Sequence, residues 1–188
     1  MKLGINELEN EIGVPKGFFD SLSHEDSWSF IIKLHAFLES LLSISLSLSL
    51  HQNSLLDEFI ALPMSASKYG KIIFAKKIGL LDSEMVRFFR SLSELRNLLV
   101  HNVSNVTFSL KKYYEDLTTK QKDSFYKKFS IGLIRSGDDN LTNKILFEES
   151  PQTAIHLGGI AIVYDLHLKH KEAEIIKKGS SLLLTHVR

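Results

Sequence analysis

The chain has 188 residues, of which 44% are hydrophobic, 24% charged and 10% aromatic. It contains no cysteine, which excludes a disulfide scaffold and any cysteine-ligated zinc or iron–sulfur site. Lysine and arginine number 23 against 22 acids, a net charge of +1, so nucleic-acid binding would need a local basic patch rather than a global one. High apolar content with balanced charge excludes disorder over most of the length. The length predicts one domain with an extension: an arm with a short helix over 1–22 and an all-helical unit over 23–188. Met1 to Asn10 lacks a basic start followed by an apolar stretch. Phe30 to Leu50 carries Lys33, His35, Glu39 and a run of serines, too polar for a membrane span. The expectation is a cytoplasmic protein that needs no membrane, metal or cofactor.

The prolines, Pro15, Pro63 and Pro151, stand where helical patterns stop or start, which predicts an all-α chain. Ile5 to Ile12 reads as a short amphipathic helix closed by Gly13. Ser23 is the predicted N-cap of the next helix, with Glu25 and Asp26 in its first turn. Leu42 to Leu50 alternates serine with leucine or isoleucine as a strand does. However, Phe30, Leu34, Phe37, Leu41, Ile44 and Leu48 form a heptad stripe, so one long helix is expected from Ser27 to Leu50, with Leu42, Leu46 and Leu50 widening its apolar face. Asn53 caps a short helix to Ala61. Ser65 or Ser67 caps one over 68–78, before Gly79. Asp82 starts a helix that runs to about Asn102. Lys111 to Phe129 is helical, followed by a loop from Ser130 to Asn140 and a turn or two up to Phe147. Ser150 and Pro151 open a long final helix to about Lys178.

The stretch from Ser91 to Asn102 carries the most information. At about 100° per residue, Met85, Phe88, Phe89, Leu92, Leu95, Leu99 and Val103 gather on one side of the helix. Arg96 falls inside that apolar arc, and Asn97 and His101 lie on its flank. A guanidinium among apolar residues needs a carboxylate, a phosphate or a partner chain. Spacing alone leaves two readings open. Arg96 pairs with Glu94 or a neighbouring acid and His101 merely ends the helix, or the pair faces a ligand.

Arg96-Asn97, three further residues and His101 near a helix end resemble the Arg-x4-His signature of HEPN domains. The surroundings are similar to the mannitol-repressor branch of that fold. The residues that carry this are Leu34 to Glu39 in a long early helix, Leu62 to Lys68, and Ala75 to Leu81, followed by the motif. The resemblance covers roughly Trp28 to Leu110. It implies an HEPN-like helical bundle with long early and C-terminal helices, forming a homodimer that brings two motifs together. In active members this pairing makes a metal-independent endoribonuclease of toxin or defence type. Carried over, Arg96 stabilises the pentavalent phosphate, Asn97 orients the motif and His101 moves protons. RNA is the implied substrate, and an antitoxin or regulatory protein the implied partner. Val103 stands where toxin members often carry tyrosine. The alternative within the same resemblance is a non-catalytic transcriptional regulator or interaction module of the mannitol-repressor type.

Other features weigh less. His167 and His170, with Asp165 nearby, have metal-ligand spacing, but a third ligand is missing from that face. Basic pairs at 76–77, 111–112, 127–128 and 177–178 would border an RNA cleft if the fold gathered them, with Tyr113, Tyr114 and Tyr126 as stacking residues. Gly158 and Gly159 inside the last helix indicate a close helix approach, in a dimer seam or a tight bundle.

Overall fold

A computed structural model describes residues 4–136 and 140–185. The chain is an all-α bundle with no strand among the described residues. Its helices are α1 (Ile5–Glu11), α2 (Phe18–Ser23), α3 (Ser27–Ser49), α4 (Leu56–Ala61), α5 (Lys71–Lys77), α6 (Ser83–Val100), α7 (Leu110–Glu115), α8 (Thr119–Phe129), α9 (Ile131–Ser136), α10 (Asn140–Glu149) and α11 (Pro151–Thr185). Short 3-10 turns cover Asn53–Leu55 and Val103–Thr107.

The long early helix is present, and its start differs from the sequence reading. Asp26 is the N-cap of α3, accepting from the amides of Trp28 and Ser29 at 3.0 Å each, whereas Ser23 closes α2. The arm before it is anchored by a buried carboxylate. Glu9 accepts from the Gly17 amide at 2.7 Å and the Phe19 amide at 2.9 Å, tying α1 to the start of α2. Those charge-assisted bonds compensate the cost of burying Glu9. Leu8, Phe19 and Leu22 are buried in the same core cluster as α3 and α11.

The leucine–serine stretch is helical because its serines are satisfied inside the helix. Ser45 donates to the Leu41 carbonyl at 2.7 Å and Ser43 to the Glu39 carbonyl at 3.1 Å, the back-bonding that lets serine be buried in a helix. The buried stripe follows the heptad only as far as Leu41. Phe30, Leu34 and Leu41 are buried, as are Leu38 and the widening Leu42 and Leu46, while Ile44, Leu48 and Leu50 are exposed. Buried positions four apart advance about 40° per step, so the buried face turns along α3 to meet the different helices packed against each part of it. By length and composition α3 is apolar enough to cross a membrane, but 56% of that window is buried inside the bundle. His51 follows with φ of +55°, taking the left-handed position that commonly ends a helix.

Four further expectations are corrected. The helix predicted over 68–78 begins at Lys71, capped by Gly70 rather than a serine. The Lys71 and Ile72 amides donate to the Pro63 and Met64 carbonyls, so the chain before them is a folded loop. Lys111 to Phe129 splits into α7 and α8 at Thr118, whose amide donates to the Gln121 side-chain oxygen at 2.9 Å in a capping box. The loop predicted from Ser130 contains α9, and α11 runs past Gly179 to Thr185.

The glycine pair lies in the bundle. A Cβ on Gly158 would meet the Phe88 ring of α6 at 2.6 Å, and one on Gly159 would meet Leu34 of α3 at 2.9 Å. Across from them, a Cβ on Gly132 would lie 2.4 Å from the backbone of Leu157. These glycines let α11 touch α3, α6 and α9 backbone to side chain or backbone to backbone. Gly132→Ala gains about 1 kcal/mol of helix propensity and loses more than that to the clash with an unyielding backbone. A net loss near 2 kcal/mol is expected on urea denaturation, and an unchanged midpoint would contradict the close approach.

Two histidines of α11 are held neutral by burial. His156 sits between the rings of Phe19 and Phe30, at centroid distances of 6.4 and 6.1 Å, with Nε2 unpartnered. Burial pushes its pKa below the ordinary 6.5, against smaller opposing effects of the Phe19 backbone and Asp20. His170 is lowered by burial first and by the neighbouring His167 second, with Glu174 opposing. With folded values below the unfolded one, the unfolded chain binds more protons in acid. The stability these groups contribute is complete above pH 6.5 and is lost as the pH falls below it. The urea midpoint should therefore drop between pH 7.5 and pH 5, and drop less in His156→Gln.

Candidate functional site

The site is built on α6. Asp82 caps its start, accepting from the Glu84 and Met85 amides at 2.9 and 2.8 Å. Met85, Phe88, Phe89, Leu92, Leu95 and Leu99 are buried, as the helical arc predicts. The side chain of Val103 lies outside the described residues. Arg96 sits at the edge of this arc, half-buried, and Asn97 and His101 are exposed. The helix ends at Val100 with His101 as its C-cap in helical geometry, two residues before the predicted end. Arg96, Asn97, Val100 and His101 therefore lie on the last turns of α6, with about 7.5 Å of axial rise and about 140° of rotation from Arg96 to His101.

Arg96 does not form the ion pair that spacing allowed. Its Nη1 donates to the Asn97 side-chain oxygen at 3.1 Å. Among the described residues no carboxylate lies within salt-bridge distance of it. Glu94 instead pairs across to Lys128 of α8 at 3.2 Å. A guanidinium held by a neutral amide keeps its full charge for an anion. Asn105 donates to the Leu98 carbonyl at 2.8 Å, folding the turn after α6 back against the helix end. Leu98, Val100 and Val106 are exposed there, at 49%, 39% and 55%.

Beneath Arg96 runs a buried polar chain that the sequence reading treated only as interruptions of an apolar window. His35 and Glu39 lie one turn apart on α3, and Lys71 enters from α5 in a core position. Lys71 Nζ bonds Glu39 Oε1 at 3.0 Å, and His35 Nδ1 lies 3.8 Å from Glu39 Oε2. On its other side His35 Nε2 is 3.2 Å from the hydroxyl of Ser93, one turn before Arg96. Ser93 gives its own proton to the Phe89 carbonyl at 3.0 Å, so the imidazole is the donor in the His35–Ser93 bond. Burial pushes the His35 pKa down, Glu39 opposes this, and the charges of Arg96 and Lys71 reinforce it. The chain thus places a neutral imidazole, and no added cation, beside Arg96. An i,i+4 His–Glu pair on an otherwise apolar helix was the available sequence signal.

The remaining candidates do not assemble. His167 is buried with Nε2 3.1 Å from the Glu11 carboxylate, which Lys171 also reaches at 2.7 Å. No group of three metal-ligating side chains gathers among the described residues. Lys111 bonds the Glu148 carbonyl at 2.6 Å, Lys128 is engaged by Glu94, and the side chains of 177–178 lie outside the described residues. Tyr114 is packed in the core against Phe125 and Phe147, while Tyr113 and Tyr126 are partly exposed. Comparison of the chain with protein-family models, with curated proteins and with solved structures finds no match.

The buried pair is asymmetric, because the Lys71 side chain is 3% exposed and that of Glu39 30%. Glu39→Ala strands a buried ammonium and should cost about 3 kcal/mol. Lys71→Met leaves a carboxylate that water reaches and should cost about 1 kcal/mol or less. Denaturant melts of the two variants read this order directly, and the reverse order would refute it.

Proposed function

We propose that this chain is an HEPN-like, metal-independent endoribonuclease that acts as a cytoplasmic homodimer. The observation that carries the reading is Arg96: half-buried, steadied by Asn97, free of any carboxylate among the described residues, and within two turns of the exposed His101 at the same helix end. That is the arrangement expected of a phosphate-binding cation beside a proton-transfer group, and it differs from a structural ion pair. The exposed Val100 and Val106 favour a second copy packed against this face, which would bring two motifs together and enclose them.

In the reaction this implies, the RNA 2′-oxygen attacks the adjacent phosphorus and the bond to the 5′-oxygen breaks. One His101 takes the 2′ proton, and the His101 of the second copy gives a proton to the leaving 5′-oxygen. Arg96 stabilises the charge on the pentavalent phosphate, and Asn97 keeps the guanidinium in place. The products are a 2′,3′-cyclic phosphate and a 5′-hydroxyl. No step calls for a metal.

The second reading, a non-catalytic regulator or interaction module, draws on the same exposed apolar residues, which an antitoxin or regulatory protein would also cover. The test is cleavage of single-stranded RNA in EDTA. His101→Ala should lower the rate about 10²-fold or more with the melting curve unchanged, since the ring is exposed. Arg96→Ala should abolish cleavage. Equal cleavage by wild type and His101→Ala sinks the catalytic assignment. No cleavage by folded wild type across varied RNAs favours the regulator.

A further inference from the structure

Around the helix from the motif lies a cleft that the proposed chemistry does not use, lined by Tyr113 and Lys128 among others. It has a volume of about 100 Å³ and opens between α6, α7 and α8. Leu98 forms one wall, half-exposed, and the partly exposed Tyr113 another, with Phe125 at the floor. Tyr113 is braced there by Phe108 and Phe125, at centroid distances of 5.6 and 5.9 Å. The mouth carries the exposed Glu94–Lys128 ion pair. Leu98 is three residues before His101, so this cleft lies one helical step from the proton-transfer group.

An apolar slot with an aromatic wall and a polar rim suits a planar ring with hydrogen bonds along one edge. Single-stranded RNA presents such rings, splayed out and read on their Watson–Crick edges. The rim is selective. An ionised carboxylate only accepts and an ammonium only donates. Guanine alone among the four bases offers two adjacent donors, N1–H and the 2-amino group, beside an acceptor, O6. Adenine and cytosine pair a single donor group with acceptors, and uracil flanks one donor with two acceptors. The ion pair at 3.2 Å already holds the carboxylate and the ammonium side by side.

The geometry points to this cleft as a guanine subsite, in which Glu94 accepts from N1 and the 2-amino group, Lys128 donates to O6, and the ring lies between Leu98 and Tyr113. This inference rests on the RNA reading above and adds the base next to the cleaved bond. Short single-stranded RNAs that differ in one base beside a common scissile bond test it. Wild type should cut the guanine substrate about tenfold faster than the adenine one. Glu94→Gln should remove most of that ratio, as should Leu98→Trp, which fills the slot from an exposed position. If wild type cleaves RNA without preferring guanine, or if Glu94→Gln keeps the preference, the subsite is overturned and the ribonuclease reading stands. If wild type cleaves nothing, titration with GMP and CMP followed on the Leu98 methyl resonances decides the subsite by itself. Shifts with GMP only, lost in Glu94→Gln, support it. No shift, or equal shifts with both nucleotides, overturns it.

Discussion

The close seating of α11 on α3, α6 and α9 is the constraint on which the rest depends. Gly158 and Gly159 leave no side chain between α11 and the residues Phe88 and Leu34, and Gly132 lets α9 meet the same stretch backbone to backbone. That contact holds the middle of α6 against the core. The last turns of α6, beyond Leu95, then run to the edge of the bundle, where only Leu99 remains buried and the outward face meets solvent. The position of Arg96 at this boundary follows from where the core ends. It is deep enough for its aliphatic stem to pack and shallow enough for its guanidinium to face an anion.

The electrostatics around Arg96 are arranged by exclusion of acids. Glu94 is turned away to Lys128, and Glu39 is occupied by Lys71. His35, the remaining ionisable group beneath Arg96, is kept neutral by burial and by the cations on either side of it. A buried lysine and histidine so close to a guanidinium would be costly without Glu39, which is why this short network spans α3, α5 and α6. Under the proposed chemistry, the network would leave the Arg96 charge without internal competition.

Much of the fold was legible because helix boundaries are written in short-range chemistry. Asp82 before an amphipathic run, Pro151 at a first turn and Gly79 after a last one act within four or five residues. The misplaced boundaries have equally local causes once the coordinates are known. Ser23, followed by two acids, looks like a cap as good as Asp26, and the choice is made by which side chain reaches the free amides. Gly132 reads as a loop glycine in sequence, yet it sits in a helix because α11 requires the missing Cβ.

The sequence by itself determined that the chain is all-helical, that α3 is one continuous helix, and that Arg96, Asn97 and His101 lie together near the end of another. Each depends on periodicity and neighbours along the chain. Only the tertiary structure decided which residues of α3 face inward, because different helices pack against different parts of it and each covers its own side. It also decided that Lys71 would be buried against Glu39, 32 residues earlier, and that Glu94 would pair with Lys128, 34 residues later, rather than with Arg96 two residues away. Ion pairing is set by where side chains meet in space, and residues two apart on a helix point to different sides.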